Sequence, residues 1–295
     1  MHGAELDQNG KPIWLRFGFL KLMEHLAYLT KEEQSPVPDW TRRFHCKAFR
    51  HRFDHFQELL LKFDPAARHV TDCQERARPW LKLMEERAKK ASAQDEGGEA
   101  ELAEFSNANA DLPLYFDLLL FYLRIQADAY AALVPFFYES RFEEMPTRSF
   151  RDHLKWFAKT SIDQEYTSIL EANQDWFRDL SGKDPKGLRD VLVHHSGTTL
   201  FYWQGGHETE IALCGELYRS DGPLEEDLPD RMREMTFGWC AFLDAACLHF
   251  VKNLKAEGML TTMSGNGIES RWFPCTRQGL PSLWVYPSCP GEWLP

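Results

Sequence analysis

Residues 184–197 read Asp-Pro-Lys-Gly-Leu-Arg-Asp-Val-Leu-Val-His-His-Ser-Gly, and this is the most informative stretch of the chain. Its ends carry helix signals, because Asp184 suits the N-cap, Pro185 the first helical position, and Gly197 the position just past the end. We therefore expect one short helix here. Its interior adds charged and imidazole side chains to the apolar ones, at Arg189, Asp190, His194 and His195.

The spacing of these polar residues constrains what they can do together. Asp190 and His194 are four residues apart, so they share a helix face, and a hydrogen bond between them would fix the imidazole tautomer. Arg189 and His194 are five apart and project roughly 140° from each other. A single regular helix does not aim both at one point. Either the long Arg189 side chain swings round, the helix begins later, or a second copy of the segment completes the site. The alternative to a functional site is that Arg189 and Asp190 form surface ion pairs and that the histidine lies at a polar boundary.

Composition indicates a folded globular protein. The 295 residues are 43% hydrophobic and 14% aromatic, enough for one large domain or two modest ones. The net charge of −11 opposes non-specific binding to nucleic acid or anionic membranes, although it leaves room for a small basic site.

Several functional classes are disfavoured by what the sequence lacks. The seven cysteines are scattered without a CxxC pair, and the first residues lack a signal-peptide pattern, so we expect reduced thiols and a cytoplasmic protein. The most apolar stretch, 112–137, is interrupted by charges, so we expect no membrane span. No phosphate-cradling glycine loop, GxSxG or HExxH motif occurs, and we expect neither a cofactor nor a metal.

Helical periodicity predicts an N-terminal helical region over residues 1–90, with helices at 14–30, 39–63 and 78–90. The small, polar residues 91–110 are predicted to form a flexible linker with a helical piece near 100–105.

The remainder is predicted to form a bundle over 111–257 and an extended tail, rich in Trp and Pro, over 258–295. Long helices are expected at 112–138, 149–180 and 228–257. Two short strands, 198–204 and 208–217, flank Gly205-Gly206 and predict a hairpin. The residues expected inside the bundle are Leu119, Tyr122, Ile169 and Phe242.

This order of helices, with Arg189, the polar Asp190 and His194 on the short third element, resembles the HEPN superfamily over about 111–257. The resemblance implies an all-α fold, here a HEPN-like helical bundle with a small β-hairpin insertion and an N-terminal helical extension. Many HEPN proteins are metal-independent ribonucleases that dimerise with their two motifs facing each other. Others have lost catalysis and serve as binding or scaffolding modules.

Two functional hypotheses follow from the resemblance. The first is a cytosolic endoribonuclease of defence or toxin type that acts on RNA as a homodimer, with an antitoxin or another protein as partner. The second is a catalytically silent HEPN-like module that binds a partner protein or RNA. The acidic charge favours the second, and the intact Arg-Asp-x-x-x-His motif favours the first.

The residues suit metal-free RNA cleavage. An imidazole such as that of His194 can take or give a proton at neutral pH, and a fixed guanidinium such as that of Arg189 counters charge on the phosphate. Asp190 would orient His194. Three further residues are supporting candidates: His195, Asp128 and Arg124. For the last two, a buried ion pair that serves packing is the favoured interpretation.

A second segment, 42–56, mixes basic residues with Phe and includes His51 and His55 at a metal-compatible spacing. Basic residues between aromatics can bind RNA. We favour the structural alternative, an amphipathic helix whose Phe residues, Phe49, Phe53, Phe56 and Phe63, form core.

Overall fold

The chain is mostly helical with one small antiparallel sheet, which confirms the predicted fold class. The computed structural model describes residues 44, 46–90, 98–138, 143–160, 162–184, 186–194, 197–205, 211–219, 222–223 and 227–256. The predicted helix 14–30, the first residues of helix 39–63 and the tail 258–295 lie outside these described residues.

The described helices are α1 (Lys47–Lys90), α2 (Glu99–Leu133, continued by a 3-10 turn, Val134–Phe137), α3 (Phe150–Thr160), α4 (Gln164–Ala172), α5 (Asp175–Ser181), α6 (Leu188–His194) and α7 (Leu228–Ala256). The strands are β1 (Thr198–Gly205), β2 (Ile211–Arg219) and the two-residue β3 (Gly222–Pro223). The predicted hairpin and last helix are therefore confirmed.

Helix α1 runs unbroken where two helices were predicted, and it contains Pro65 and Pro79. Each proline removes one backbone hydrogen bond, and burial of the apolar side chains along the rest of the helix offsets that loss. Helix α2 begins at Glu99, so the second part of the stretch expected to be a flexible linker, 91–110, is helical. Residues 91–97 lie outside the described part of the chain.

The predicted helix 149–180 is three helices, α3, α4 and α5. Asp163 caps the start of α4, because its Oδ1 atom accepts a hydrogen bond of 2.9 Å from the Tyr166 backbone N–H. An N-cap side chain starts a new helix without disturbing the apolar spacing. The apolar spacing alone therefore predicted one continuous helix.

The chain divides into two compact units. Unit 1 is Met1–Phe56, Ala127–Gln174 and Phe237–Pro295, and unit 2 is Gln57–Gln126 and Asp175–Thr236. Helices α1, α2 and α7 contribute residues to both units.

The core of unit 1 is aromatic. The Tyr130 ring lies 5.3 Å from Phe242 and 6.1 Å from both Phe56 and Trp239, measured between ring centroids. Phe242 is buried, as predicted, whereas Ile169 is only half-buried. Edge-to-face aromatic contacts of this kind add about 0.5–1.5 kcal/mol each to the burial of the rings.

The core of unit 2 packs helices against the sheet. Its central cluster consists of Val70, Cys73, Ala77, Ala108 and Leu112, and one face of the hairpin contributes Phe201, Trp203 and Leu213. Leu119 is buried in unit 2, as predicted, and Tyr122 is half-buried.

The pairing of β1 with β2 explains why residue 215 is a glycine. Phe201 pairs with Gly215, where an added Cβ atom would lie 2.8 Å from the Phe201 ring. Glycine at this position gives the ring its space on the core face. The indole N–H of Trp203 then donates a 2.8 Å hydrogen bond to Asn109 on α2.

The segment Glu99–Phe137 is long and apolar enough to cross a membrane, judged by length and composition alone. Of its most apolar window, 56% is buried inside the protein. The buried core helix of a folded protein passes the same test.

Candidate functional site

Helix α6 carries the predicted motif and begins at Leu188, later than the sequence signals indicated. Leu188 and Val191 are buried and attach the helix to unit 2, whereas Val193 and His194 are exposed. Arg189 and Asp190 lie between these faces and are half-buried. His195 lies outside the described residues.

A glycine sets how closely α6 approaches α5. The Gly187 N–H donates a 3.1 Å hydrogen bond to the Gly182 carbonyl, and the Val191 N–H bonds to the Gly187 carbonyl. A Cβ atom at Gly187 would lie 2.3 Å from the backbone nitrogen of Ser181. Only glycine fits this approach, which brings the start of α6 beside the last residues of α5.

Three polar side chains meet at this junction. The Arg189 guanidinium donates from Nη1 to Asp190 Oδ1 at 3.0 Å, and the Ser181 hydroxyl lies 3.5 Å from the same oxygen. Ser181 is buried, and the Arg189 and Asp190 side chains are 25% and 21% exposed. An ion pair this shielded from water interacts more strongly than one at the open surface. Asp190 therefore holds the Arg189 guanidinium in place.

The same guanidinium also reaches His194. Its Nη1 atom lies 3.4 Å from His194 Nε2 within one chain. The long, flexible Arg189 side chain swings round and spans the roughly 140° between the two Cβ directions. Of the three explanations considered, the first holds, and the helix also begins later than predicted.

This contact determines a tautomer. A guanidinium has only donors, so His194 Nε2 must be the acceptor and the ring proton must lie on Nδ1. In this tautomer the Nε2 lone pair of His194 faces the Arg189 guanidinium. The sequence predicted a hydrogen bond between Asp190 and His194. In the structure, Asp190 forms an ion pair with Arg189.

The two supporting residues on α2 have separate surroundings. The Arg124 guanidinium lies 5.1 Å from the centroid of the Phe177 ring in unit 2, a cation–π contact. Asp128 belongs to unit 1, where its Oδ1 atom accepts a 2.8 Å hydrogen bond from the Phe150 N–H at the start of α3. These contacts support a packing and capping role for both side chains.

The basic and aromatic segment near the start of α1 is an amphipathic helix whose Phe side chains face the core, as the sequence analysis favoured. Phe49, Phe56 and Phe63 are buried and Phe53 is half-buried, as an amphipathic helix requires. The Arg52 guanidinium donates a 2.9 Å hydrogen bond to the Ala132 carbonyl. Among the described residues, no group of three His, Cys, Asp or Glu side chains could hold a metal ion.

Unit 1 contains a polar network that the sequence did not indicate. Asp163 Oδ2 accepts hydrogen bonds from the Tyr138 hydroxyl at 2.6 Å and from His249 Nε2 at 2.7 Å. Burial alone would raise the pKa of Asp163, but the hydrogen bonds from His249, Tyr138 and the Tyr166 N–H outweigh it and lower that pKa to about 2. Asp163 and His249 are far apart in sequence, so no local motif marks the pair.

A second buried imidazole extends this network. His153 Nε2 lies 2.9 Å from the Tyr166 hydroxyl, which lies 3.0 Å from the Tyr130 hydroxyl. Burial lowers the pKa of His153 to about 3, so the ring is neutral at physiological pH. The His153 ring is fully buried, and we regard this network as part of the core.

Compared with models of known protein families, with curated proteins and with solved structures, the chain matches none of them. The features that bear on function are the geometry of Arg189, Asp190 and His194 and the resemblance of their motif.

Proposed function

We propose that the protein is a HEPN-like, metal-independent endoribonuclease of defence or toxin type, and that Arg189, Asp190 and His194 form its active site. The observation that carries the proposal is the 3.4 Å approach of the Arg189 guanidinium to His194 Nε2. It places an imidazole nitrogen beside a guanidinium on a half-exposed helix, and RNA cleavage without a metal uses a group that transfers protons and a cation that counters charge on the phosphate.

The chemistry assigns one role to each side chain. When an RNA phosphate binds, the Arg189 guanidinium turns from His194 to the phosphate oxygens, which it holds by paired hydrogen bonds. His194 Nε2 is then free to take the proton of the 2′-hydroxyl. The 2′-oxygen attacks phosphorus, the bond to the 5′-oxygen breaks, and Arg189 counters the negative charge of the pentavalent phosphate.

The second proton transfer needs an acid. The departing 5′-oxygen takes up a proton, and His195 is the candidate donor in the sequence. Asp190 does not touch substrate in this scheme. It acts by holding the Arg189 side chain, as the 3.0 Å ion pair supports.

The test is incubation of the purified protein with single-stranded RNA in excess EDTA. The mechanism predicts fragments that end in 2′,3′-cyclic phosphate and 5′-hydroxyl groups. Fragments ending in 5′-phosphate would contradict it, because they require attack by water instead of by the 2′-hydroxyl.

A catalytically silent HEPN-like module that binds a protein or RNA is the second candidate. The net charge of −11 favours it, because a strongly acidic surface opposes RNA binding outside a local basic site. Saturable RNA binding with no cleavage by wild-type protein would favour this candidate over the first.

We also propose a homodimer, on the resemblance alone, with an antitoxin or other protein as a further partner. Since Arg189 and His194 meet within one chain, the geometry no longer requires a second chain to complete the site. Light scattering at micromolar concentration tests the dimer. A monomer with full cleavage activity would remove the dimer and leave the catalytic proposal in place.

A further inference from the structure

Helix α2 carries apolar side chains on two opposite faces. The inner face is buried in unit 2 and includes Leu112, Phe116 and Leu123. At about 100° per residue, a second row of apolar residues points roughly the opposite way. This second row, the outer seam, consists of Leu114, Leu118, Phe121 and Ile125. The core of unit 2 accounts for the inner face and leaves the outer seam without a role.

The outer seam is open to solvent along its length. Leu114 is 57% exposed and Phe121 is 48% exposed, whereas Leu118 and Ile125 are half-buried. Single exposed apolar side chains are ordinary, but a continuous row of them on one helix face is typical of an interaction surface. The outer seam therefore needs an occupant.

The spacing of the outer seam indicates what kind of occupant fits. Its four residues are separated by four, three and four positions. This is the spacing of the a and d positions of a coiled coil, here over about two heptads, where the side chains of one helix insert between those of another. The best fit is thus a second helix with the same spacing, and another copy of α2 provides one.

The charges beside the outer seam favour a second copy. With Leu114 at a d position, Asp117 and Arg124 both fall at g positions, on one flank of the outer seam. They are seven residues or about 10.5 Å apart along the helix, too far to pair with each other. Asp117 is exposed and forms no ion pair among the described residues. The Arg124 guanidinium lies 5.1 Å from the centroid of the Phe177 ring, which places it on this flank.

We propose that the outer seam binds the outer seam of a second copy of this chain, with the two α2 helices antiparallel. A two-fold axis midway along the outer seam, between residues 119 and 120, brings Leu114 onto the partner's Ile125. The same axis brings Leu118 onto the partner's Phe121. All four residues are then covered by apolar side chains of the other copy.

The antiparallel orientation also pairs the charges. Helices that run in opposite directions face each other along their g positions, so Asp117 lies beside the partner's Arg124. The two-fold axis repeats this pair on the other side. A parallel arrangement would set Asp117 against the partner's Tyr122 instead and would leave both charges without an opposite charge. Charged residues flanking an apolar seam set the orientation of helices in this way.

This interface deepens the homodimer proposed above and rests on it only for the claim that two copies associate. That homodimer follows from a resemblance and has no surface assigned to it, whereas the interface is derived from the exposure, spacing and charges of α2. It does not depend on RNA cleavage, because none of its residues belongs to the candidate active site.

The first test compares two apolar-to-charged substitutions on α2 in the full-length protein. Sedimentation velocity over a concentration series gives the dimer Kd. Phe121→Asp should weaken the dimer by at least about thirtyfold, the threshold for an interface hot spot. Leu102→Asp is the matched control, because Leu102 is 43% exposed on the same helix outside the outer seam, and it should leave Kd unchanged. Circular dichroism melts should show both variants folded, since both positions are exposed.

The second test uses the charges to determine the orientation. Asp117→Arg would set two arginines together at each end of the interface, and Arg124→Glu would set two carboxylates together, so each variant alone should dimerise several-fold more weakly. An equimolar mixture of the two should recover the dimer, because every charge pair between the unlike chains is attractive. If loss of the Phe177 contact unfolds Arg124→Glu, the Phe121→Asp comparison still decides the surface.

The outcomes that overturn the interface differ from those that overturn the proposed function. A dimer with wild-type Kd in Phe121→Asp would overturn the interface and leave the homodimer. Folded charge variants whose mixture does not recover the dimer would overturn the antiparallel arrangement. A monomer that floats with phosphatidylcholine vesicles, and does so only with Phe121 intact, would assign the outer seam to a lipid surface. Absence of EDTA-resistant RNA cleavage, with a Phe121-dependent dimer, would overturn the nuclease and support the interface.

Discussion

The Nη1 atom of Arg189 lies 3.4 Å from Nε2 of His194, within a single chain. Because arginine can only donate, the Nε2 atom of His194 is the acceptor in this contact. The imidazole atom proposed as the base therefore lies directly beside the group proposed to bind the phosphate.

The contact within one chain predicts that complementation between two inactive variants will fail. Equimolar Arg189→Ala and His194→Ala proteins, refolded together to exchange subunits, should show no more RNA cleavage than either alone. Each variant lacks one member of its own site, and no chain supplies both. Wild-type protein refolded with each variant is the control for recovery of activity. Cleavage regained by the mixture would show that the site draws Arg189 and His194 from different chains.

Asp190→Asn should lower cleavage while leaving the protein folded. The change removes the negative charge that holds the Arg189 guanidinium at 3.0 Å, and the Nε atom of Arg189 already lacks a hydrogen-bond partner. We expect a loss of stability of about 1–3 kcal/mol, as for a partly buried hydrogen bond to a charged group. Urea unfolding and the initial cleavage rate provide the two measurements.

Ser181→Ala is the matched control for that variant, because the Ser181 hydroxyl meets the same carboxylate oxygen at a longer distance, 3.5 Å. Its effect on cleavage should be much smaller. Equal losses in both variants would contradict the assignment of Arg189 positioning to Asp190.

Gly187→Ala should disrupt the site through the backbone. The new Cβ atom would lie 2.3–2.5 Å from backbone atoms of Leu180 and Ser181, which cannot move aside as a flexible side chain can. Helix α6 must shift, and both cleavage and thermal stability should fall. Gly197→Ala is the comparison, since its nearest contacts are side-chain atoms at 3.2 Å. Circular dichroism melts that show equal stability for the two variants would contradict this account.

His153 makes folding stability sensitive to mild acid. Burial lowers the pKa of His153 from 6.5 to about 3, so between these values the unfolded chain takes up a proton that the folded protein excludes. The contribution is complete above pH 6.5 and is lost as pH falls from there toward 3, a change of several kcal/mol. Asp163, whose pKa is lowered to about 2, affects stability only below its ordinary value of 3.8.

Urea unfolding of wild-type and His153→Phe proteins between pH 7 and pH 5 checks this expectation. The wild-type protein should lose stability across that range, and the variant should lose less because the buried titrating group is gone. Parallel pH profiles for the two proteins would show that another group controls the acid sensitivity.

The parts of the fold that the sequence predicted are those with strong local signals. Helix α7 and the β1–β2 hairpin follow directly from a 3.6-residue apolar period and from the Gly205-Gly206 pair. The predicted helix 149–180 was wrong in detail because the Asp163 cap interrupts the backbone without interrupting the apolar period.

The sequence proposed residues for the candidate site, but helix geometry alone did not predict how their side chains meet. Helical angles describe Cβ directions, and the terminal atoms of Arg189 lie several bonds beyond its Cβ, so the angle alone could not place the guanidinium. The Asp163–His249 pair was not predicted at all, because it depends on α4 and α7 meeting in unit 1.

The most direct measurement of the central claim is the rate of RNA cleavage in excess EDTA by wild type, His194→Ala and Arg189→Ala, purified identically. The account predicts cleavage by the wild-type protein, loss of cleavage in His194→Ala, and a rate reduced by about two to three orders of magnitude in Arg189→Ala, with native circular dichroism spectra throughout. Equal cleavage by all three proteins would contradict the account, because the activity would then arise elsewhere.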